Sequence, residues 1–213
     1  MKTVVKIRAM ALALTFLPGL ALALIPENSA AASGTNPLPL TPSQAEGPYY
    51  PVAKLADQDN DLTRIGTGNV AQGTIIVMNG RVLDQAGRPV PAATVELWQT
   101  DTNGIYMHPG DSRTDQRDQA FQFFGQTRTD ELGRFEFRTI LPGIYGTRPR
   151  HMHAKVIRPG KRTLTTQLYF KGDERLARDF LTRRLGERLS ALLLDPQPGA
   201  NNALSAAIVF VVE

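Results

Sequence analysis

From residue 74 onward the chain alternates apolar and polar positions in short runs, the period-two signature of strands with one buried face. Residues 74–78 and 80–84 are β-rich, and a turn follows at 85–88. Residues 93–98 place Val95 and Leu97 opposite Thr94, Glu96 and Trp98. Residues 125–129 lead into a turn at 130–133, after which Phe135 and Phe137 share a face. Residues 151–157 alternate, 164–170 form another β-rich run, and the apolar stretch 207–212 reads as a buried strand. Runs about 8–12 residues apart with glycine-containing turns predict a mainly β fold, an antiparallel β-sandwich.

Two segments depart from this rhythm. Residues 33–72 are rich in Pro, Gly, Asn and Ser, and Pro37, Pro39, Pro42, Pro48 and Pro51 oppose a helix, so an extended N-terminal arm on the domain surface is expected. Residues 174–194 space Leu176, Phe180, Leu181, Leu185, Leu189 and Leu192 as in a helix, which predicts one or two short helices at the sandwich edge. The sandwich itself is expected over 73–213.

The first 32 residues read as a signal peptide. Lys2, Lys6 and Arg8 precede the apolar stretch 9–25, and Ala30-Ala31-Ala32 supplies a small-residue cleavage site. The stretch is shorter than the about 20 residues of a comfortable membrane span, and Pro18-Gly19 weakens it further. The expected product is exported, periplasmic or secreted, with no stable membrane anchor after cleavage. Removing the segment's three basic residues and Glu27 lowers the formal net charge of +4 by two. So small and dispersed a charge excludes a nucleic-acid surface. The chain has no cysteine, which excludes disulfides, thiolate metal sites and a cysteine nucleophile.

Candidate chemistry begins with histidine. The chain has three, and two of them are His151 and His153. On a strand, residues two apart point to one face, so both imidazoles can meet one ion. Tyr106 follows the loop 101–104, and Tyr145 follows Pro142-Gly143, six positions before His151. Phenolate is a hard oxygen donor, and two phenolates with two imidazoles suit Fe(III), with copper(II) the competing ion.

These residues sit in recognisable surroundings. Residues 95–106 (Val-Glu-Leu-Trp-Gln-Thr-Asp-Thr-Asn-Gly-Ile-Tyr) and 137–145 (Phe-Arg-Thr-Ile-Leu-Pro-Gly-Ile-Tyr) resemble the two iron-tyrosine segments of intradiol ring-cleavage dioxygenases. Residues 148–153 (Arg-Pro-Arg-His-Met-His) resemble the histidine segment, and 164–173 the strand after it. Residues 41–49 (Thr-Pro-Ser-Gln-Ala-Glu-Gly-Pro-Tyr) resemble the arm of the protocatechuate 3,4-dioxygenase branch. The resemblance implies Fe(3+) held by Tyr106, Tyr145, His151 and His153. It also implies that Tyr145 leaves the metal when a catechol chelates it and takes a catechol proton. Arg148 would stabilise negative charge on the ring, and Gln167 would line the same pocket. Substrates would be a small-molecule catechol and O2, the product a muconate-type diacid, and a homo-oligomer is compatible with it. Five residues separate Tyr145 from His151, fewer than is usual in the protocatechuate and catechol enzymes, and Gly146-Thr147 stand where a tryptophan often follows the second tyrosine. A more open pocket for bulkier catechols is expected. The competing expectation is a transthyretin-like envelope binding module whose metal site is degenerate. His108 is expected to be a surface histidine and Trp98 a core residue.

Overall fold

A computed structural model describes residues 36–213, so the signal segment 1–32 expected above lies outside the described residues. The strands are β1 (Ile75–Asp84), β2 (Thr94–Trp98), β3 (Phe124–Arg128), β4 (Arg134–Ile140), β5 (His151–Ile157), β6 (Leu164–Phe170), β7 (Leu193–Leu194), β8 (Gln197–Pro198) and β9 (Leu204–Val212). They form two sheets, ordered β4-β1-β9-β8 and β3-β2-β5-β6-β7. The runs 74–78 and 80–84 join into the single strand β1, whose buried face is Ile76, Met78, Gly80 and Val82. Gly80 lets the strand continue because the Phe135 ring lies over it: a Cβ there would sit 2.1 Å from that ring. Phe135 in turn stacks on Phe210 at 5.7 Å.

Pairing is antiparallel except in two places. β9 runs parallel to β1, from Ile76 opposite Leu204 to Asp84 opposite Val212. β7 runs parallel to β6. Both sheets are therefore mixed, a refinement of the antiparallel expectation. Parallel neighbours need a long crossover, and most of the domain lies between β1 and β9. β9 is also less buried than its composition suggests: Ala206, Ile208, Phe210 and Val212 face the core, whereas Ala207 and Val209 face solvent.

The segment 174–194 folds as short turns in place of regular helices. It holds 3-10 turns at Glu174–Ala177 and Gly186–Leu192, one turn of α-helix, α1 (Phe180–Arg183), and then β7. Asp173 caps the first turn and Asp179 caps α1, so each acidic side chain restarts the chain direction. Gly186 has φ of +56° and ends the stretch after α1. Leu185 and Leu192 are buried, but Phe180 is 66% exposed, contrary to the helical spacing that placed it on the packed face.

The arm lacks regular structure, as its prolines dictate, yet it does more than cover a surface. Thr41 donates its backbone N–H to Val211 O at 3.0 Å, and Gln44 donates to Thr165 O at 2.8 Å. Farther on, Leu62 is completely buried. Its N–H donates to Arg138 O at 2.8 Å, and its carbonyl accepts from Gln122 N–H at 3.0 Å, so it joins β4 to the approach to β3. Gly125 makes room for it, because a Cβ there would lie 2.6 Å from a Leu62 methyl.

Truncating Leu62 leaves a cavity where the two sheets meet. Leu62→Ala is expected to lower stability by about 2–5 kcal/mol. Urea unfolding monitored by circular dichroism measures this, and a loss below about 0.5 kcal/mol would show that the arm does not contribute to the core.

Candidate functional site

The inner face of the second sheet packs the core through Val95 and Leu97 of β2, Met152, Ala154 and Val156 of β5, and Leu164 and Leu168 of β6. Strand alternation sends the residues between these to the outer face. There Trp98 pairs across to His153, His153 to Gln167, and His151 to Tyr169. This outer face is polar, yet all these side chains are buried. The arm and the loops after β2 and β4 bury it. Tyr50 lies edge-on to Trp98 at 5.0 Å and donates its hydroxyl to Glu96 at 2.9 Å. Lys155 sits 3.7 Å from the Tyr50 ring centre and pairs with Glu46. Gly47, with φ of +78°, passes over His153, where a Cβ would stand 3.2 Å from the imidazole.

The two tyrosine loops are positioned by one carbonyl. Asp101 O accepts from Gly104 N–H at 3.2 Å and from Gly143 N–H at 2.7 Å. Neither glycine tolerates a side chain: a Cβ on Gly104 would lie 2.1 Å from Ile144 O, and one on Gly143 would lie 2.1 Å from Gly104 N. The loops preceding Tyr106 and Tyr145 thus pack backbone to backbone. The Asp101 carboxylate is fully buried and closes the first loop by accepting from the N–H groups of Asn103, Ile105 and Asp118. Asp111 accepts from Tyr106 N–H at 3.0 Å, and the Thr114 hydroxyl donates to Tyr106 O at 3.1 Å.

Three donor atoms converge as a result. The Tyr106 hydroxyl lies 3.4 Å from His151 Nε2 and 3.2 Å from His153 Nε2. His151 Nδ1 is 2.8 Å from Pro149 O, which places the proton on Nδ1 and leaves the Nε2 lone pair free. His153 stacks on Trp98 at 4.8 Å with 14° between the planes. Trp98, expected as a core residue, is buried but belongs to this cluster: it holds the flat of an imidazole. Burial, aided by the Arg148 charge, pushes the His151 pKa down to about 4. Burial, together with the neighbouring His151 and Arg148, holds His153 well below its usual range. Both imidazoles are therefore neutral near pH 7, the form that binds metal ions. Burial raises the Tyr106 phenol, partly offset by Arg148.

Tyr145 comes to the same place from the side. Its ring lies edge-on to Tyr106 at 5.6 Å, and its hydroxyl meets that of Tyr49 at 2.6 Å. Tyr49 also stacks on Tyr106 at 4.8 Å. The shared hydrogen bond, then burial, lifts the Tyr49 phenol to about 12. Tyr49 stood in the arm motif, but nothing in the sequence tied it to Tyr145. His108 stands off the donor cluster, half-buried, with its ring edge-on to Tyr49 at 5.3 Å.

Arg148 and Gln167 are brought together at 3.0 Å, with Arg148 Nη2 donating to Gln167 Oε1. Arg148 Nη2 also reaches the Tyr169 hydroxyl at 3.4 Å, and its Nε donates to Asp179 Oδ2 at 2.6 Å. Sequence reasoning missed Tyr169 and Asp179. Asp before an apolar run signals a helix cap, but its second oxygen's partner lies 31 positions away. Gly146 and Thr147 are exposed, and with Arg148, Arg178, Asp179 and Phe180 they line an open groove of about 730 Å³.

Among the described residues no group of three or more His, Asp or Glu side chains could hold an ion. A metal here would have to draw on phenol oxygens. The donors present, two neutral imidazole nitrogens with Tyr106 and Tyr145 beside them, fit a hard ion that prefers oxygen and imidazole.

A family model described as Dioxygenase matches residues 45–206. The protocatechuate 3,4-dioxygenase beta chain of Burkholderia cepacia is 39% identical over 142 residues, covering 62% of this chain and 60% of that protein. The catechol 1,2-dioxygenase of Acinetobacter baylyi is 34% identical over 158 residues, covering 66% of this chain and 49% of that protein. The chain thus spans about half to three-fifths of the length of these curated relatives. Among solved structures, the dioxygenase domain of a dioxygenase–carbohydrate-binding protein fusion from Streptomyces sp. SirexAA-E superposes with a TM-score of 0.65 at 31% identity, covering 82% of this chain and 99% of that one. With the fold, the ordered motifs and the family match in agreement, this chain belongs to the intradiol ring-cleavage dioxygenases.

Proposed function

We propose that this chain is an exported non-heme Fe(III) dioxygenase that opens catechol-type rings between the two hydroxyl-bearing carbons, using O2. The observation that carries the reading is the meeting of the Tyr106 oxygen with two neutral imidazole nitrogens on a buried sheet face. Tyr106, Tyr145, His151 and His153 would hold the ion. Ferric iron bound there would supply Lewis-acid chemistry, withdrawing electron density from a chelated catecholate so that the ring becomes reactive toward O2. Relatives named for protocatechuate, catechol and hydroxyquinol support the diol as the common substrate element.

The protein's own groups have separate tasks. Tyr145 is half-buried and its hydroxyl bonds that of Tyr49 at the edge of the donor cluster, so of the two tyrosines it is the one that would give way to a diol and, as phenolate, accept its proton. Tyr49 stands ready as its hydrogen-bond partner. Arg148 Nη1 has no hydrogen-bond partner among the described residues, whereas Nε and Nη2 are both engaged. That free edge presents a fixed positive charge to a ring accumulating negative charge, and such preorganised charge is worth a few kcal/mol. The arm and Trp98 keep water from the far side of the imidazoles. The open groove beside Gly146 and Thr147 leaves space for a ring substituent. Export rests on the basic and apolar N-terminal segment.

The direct test is a visible spectrum of the purified protein, followed by titration with catechols under air. Tyrosinate-to-iron charge transfer should colour the protein burgundy; a colourless, iron-free preparation would leave the binding-module reading. Tyr106→Phe and His153→Ala should each lose iron or colour, as measured by metal analysis and absorbance. Full activity in either variant would discard the ligand assignment. Arg148→Ala should keep its iron and colour while turnover falls by about 10²–10³-fold, the scale of losing one oriented charge. Steady-state comparison should show alkyl- and aryl-catechols turned over at rates comparable to protocatechuate. Strict preference for protocatechuate would refute the open groove's role.

A further inference from the structure

Two aspartates in the segment after β6 each do two things at once. Asp173 accepts from Arg175 N–H at 2.9 Å through Oδ1, capping the first 3-10 turn, and from Arg150 N–H at 2.9 Å through Oδ2. Asp179 accepts from Leu181 N–H at 3.1 Å and Thr182 N–H at 3.0 Å through Oδ1, capping α1, and from Arg148 Nε at 2.6 Å through Oδ2. In both cases one oxygen serves the local turn and the other reaches the chain just before His151. The short turns are thereby stapled to residues 148–150.

We infer that Asp179 is a positioning residue: its free oxygen fixes the Arg148 guanidinium, so that the rotation of the active-site arginine is set by the cap of α1. The inference rests on the proposed role of Arg148. Arg148 is a long side chain at the rim of an open groove, only partly buried, and would otherwise sample many rotamers. Two holds set its plane. Asp179 takes Nε, while Gln167 and the Tyr169 hydroxyl take Nη2. Gln167 is itself fixed, donating from Nε2 to Ala45 O at 2.9 Å, and the Tyr169 hydroxyl donates to Gln44 Oε1 at 2.9 Å. Of these partners only Asp179 is charged, and its side chain is 6% exposed, so it is the dominant hold. Nothing else in the groove can replace it, because the other charged groups lining it are Arg175 and Arg178.

The two roles of Asp179 separate cleanly by substitution. Asp179→Asn keeps an amide oxygen for the cap but loses the charge that faces Arg148. Asp179→Ala loses both. In the intact chain carrying its metal, Asp179→Asn should lower kcat for catechol roughly tenfold with KM within about twofold, the behaviour of a misplaced group rather than a lost binding contact. Its colour and thermal midpoint should stay near wild type, whereas Asp179→Ala should melt lower. In an Arg148→Ala background, Asp179→Asn should cost little more, because the effect runs through Arg148. Independently of turnover, the ¹⁵N spectrum of arginine-labelled protein should show an Arg148 Nε–H signal, assigned by its absence from Arg148→Lys, that broadens or disappears in Asp179→Asn. An unchanged Nε–H signal in Asp179→Asn overturns the inference, as does an undiminished further loss in the Arg148→Ala background. If the wild-type chain opens no diol at all, the dioxygenase reading fails, and the Nε–H signal still decides whether Asp179 holds Arg148.

Discussion

The site depends on burying a polar sheet face. A strand sends alternate side chains to opposite faces, so once Met152, Ala154 and Val156 pack the core, His151 and His153 must point outward. An outward face is normally wet. Here an irregular, proline-rich arm and two loops cover it. Removal from water keeps both imidazoles neutral and raises the Tyr106 phenol, while the hydrogen bond to Tyr145, then burial, raises that of Tyr49. A cation placed among these atoms would reverse that balance by drawing the phenol protons away.

Rigidity is achieved locally, with few atoms. One carbonyl, Asp101 O, receives amides from both tyrosine loops, and two glycines let the loop backbones touch. Caps do the same for the arginine side of the site: Asp173 and Asp179 divide their oxygens between a turn and the segment 148–150. Arg150 joins the two sides by donating to Pro142 O beside Gly143. Tyrosines, histidines and arginine are thus tied into one frame although they come from separate loops and strands. The exposed rim is different. Gly146, Thr147 and Phe180 make few contacts, which suits a place where substituents of varied shape could lie.

What the sequence by itself determined is what local periodicity and ordered motifs can carry. Alternation located β2, β4, β5 and β6 and put Glu96 and Trp98 opposite Val95 and Leu97. The spacing of His151 and His153 placed two imidazoles on one face, and the motifs around Tyr106 and Tyr145 pointed to the two tyrosines proposed to join them. The tertiary structure alone decided which residues from distant segments meet. It paired β1 with β9 in parallel, buried Leu62, set Trp98 against His153, brought Tyr49 to Tyr145 and aimed Asp179 at Arg148. It also broke the leucine-spaced stretch 174–194 into capped turns and left Phe180 exposed. The physical reason is one of range. Strand alternation and turn preference act over a few residues and can be read from neighbours along the chain. Stacking, shared carbonyls and charge pairs act between surfaces that come together only after folding, and no period in the sequence records them.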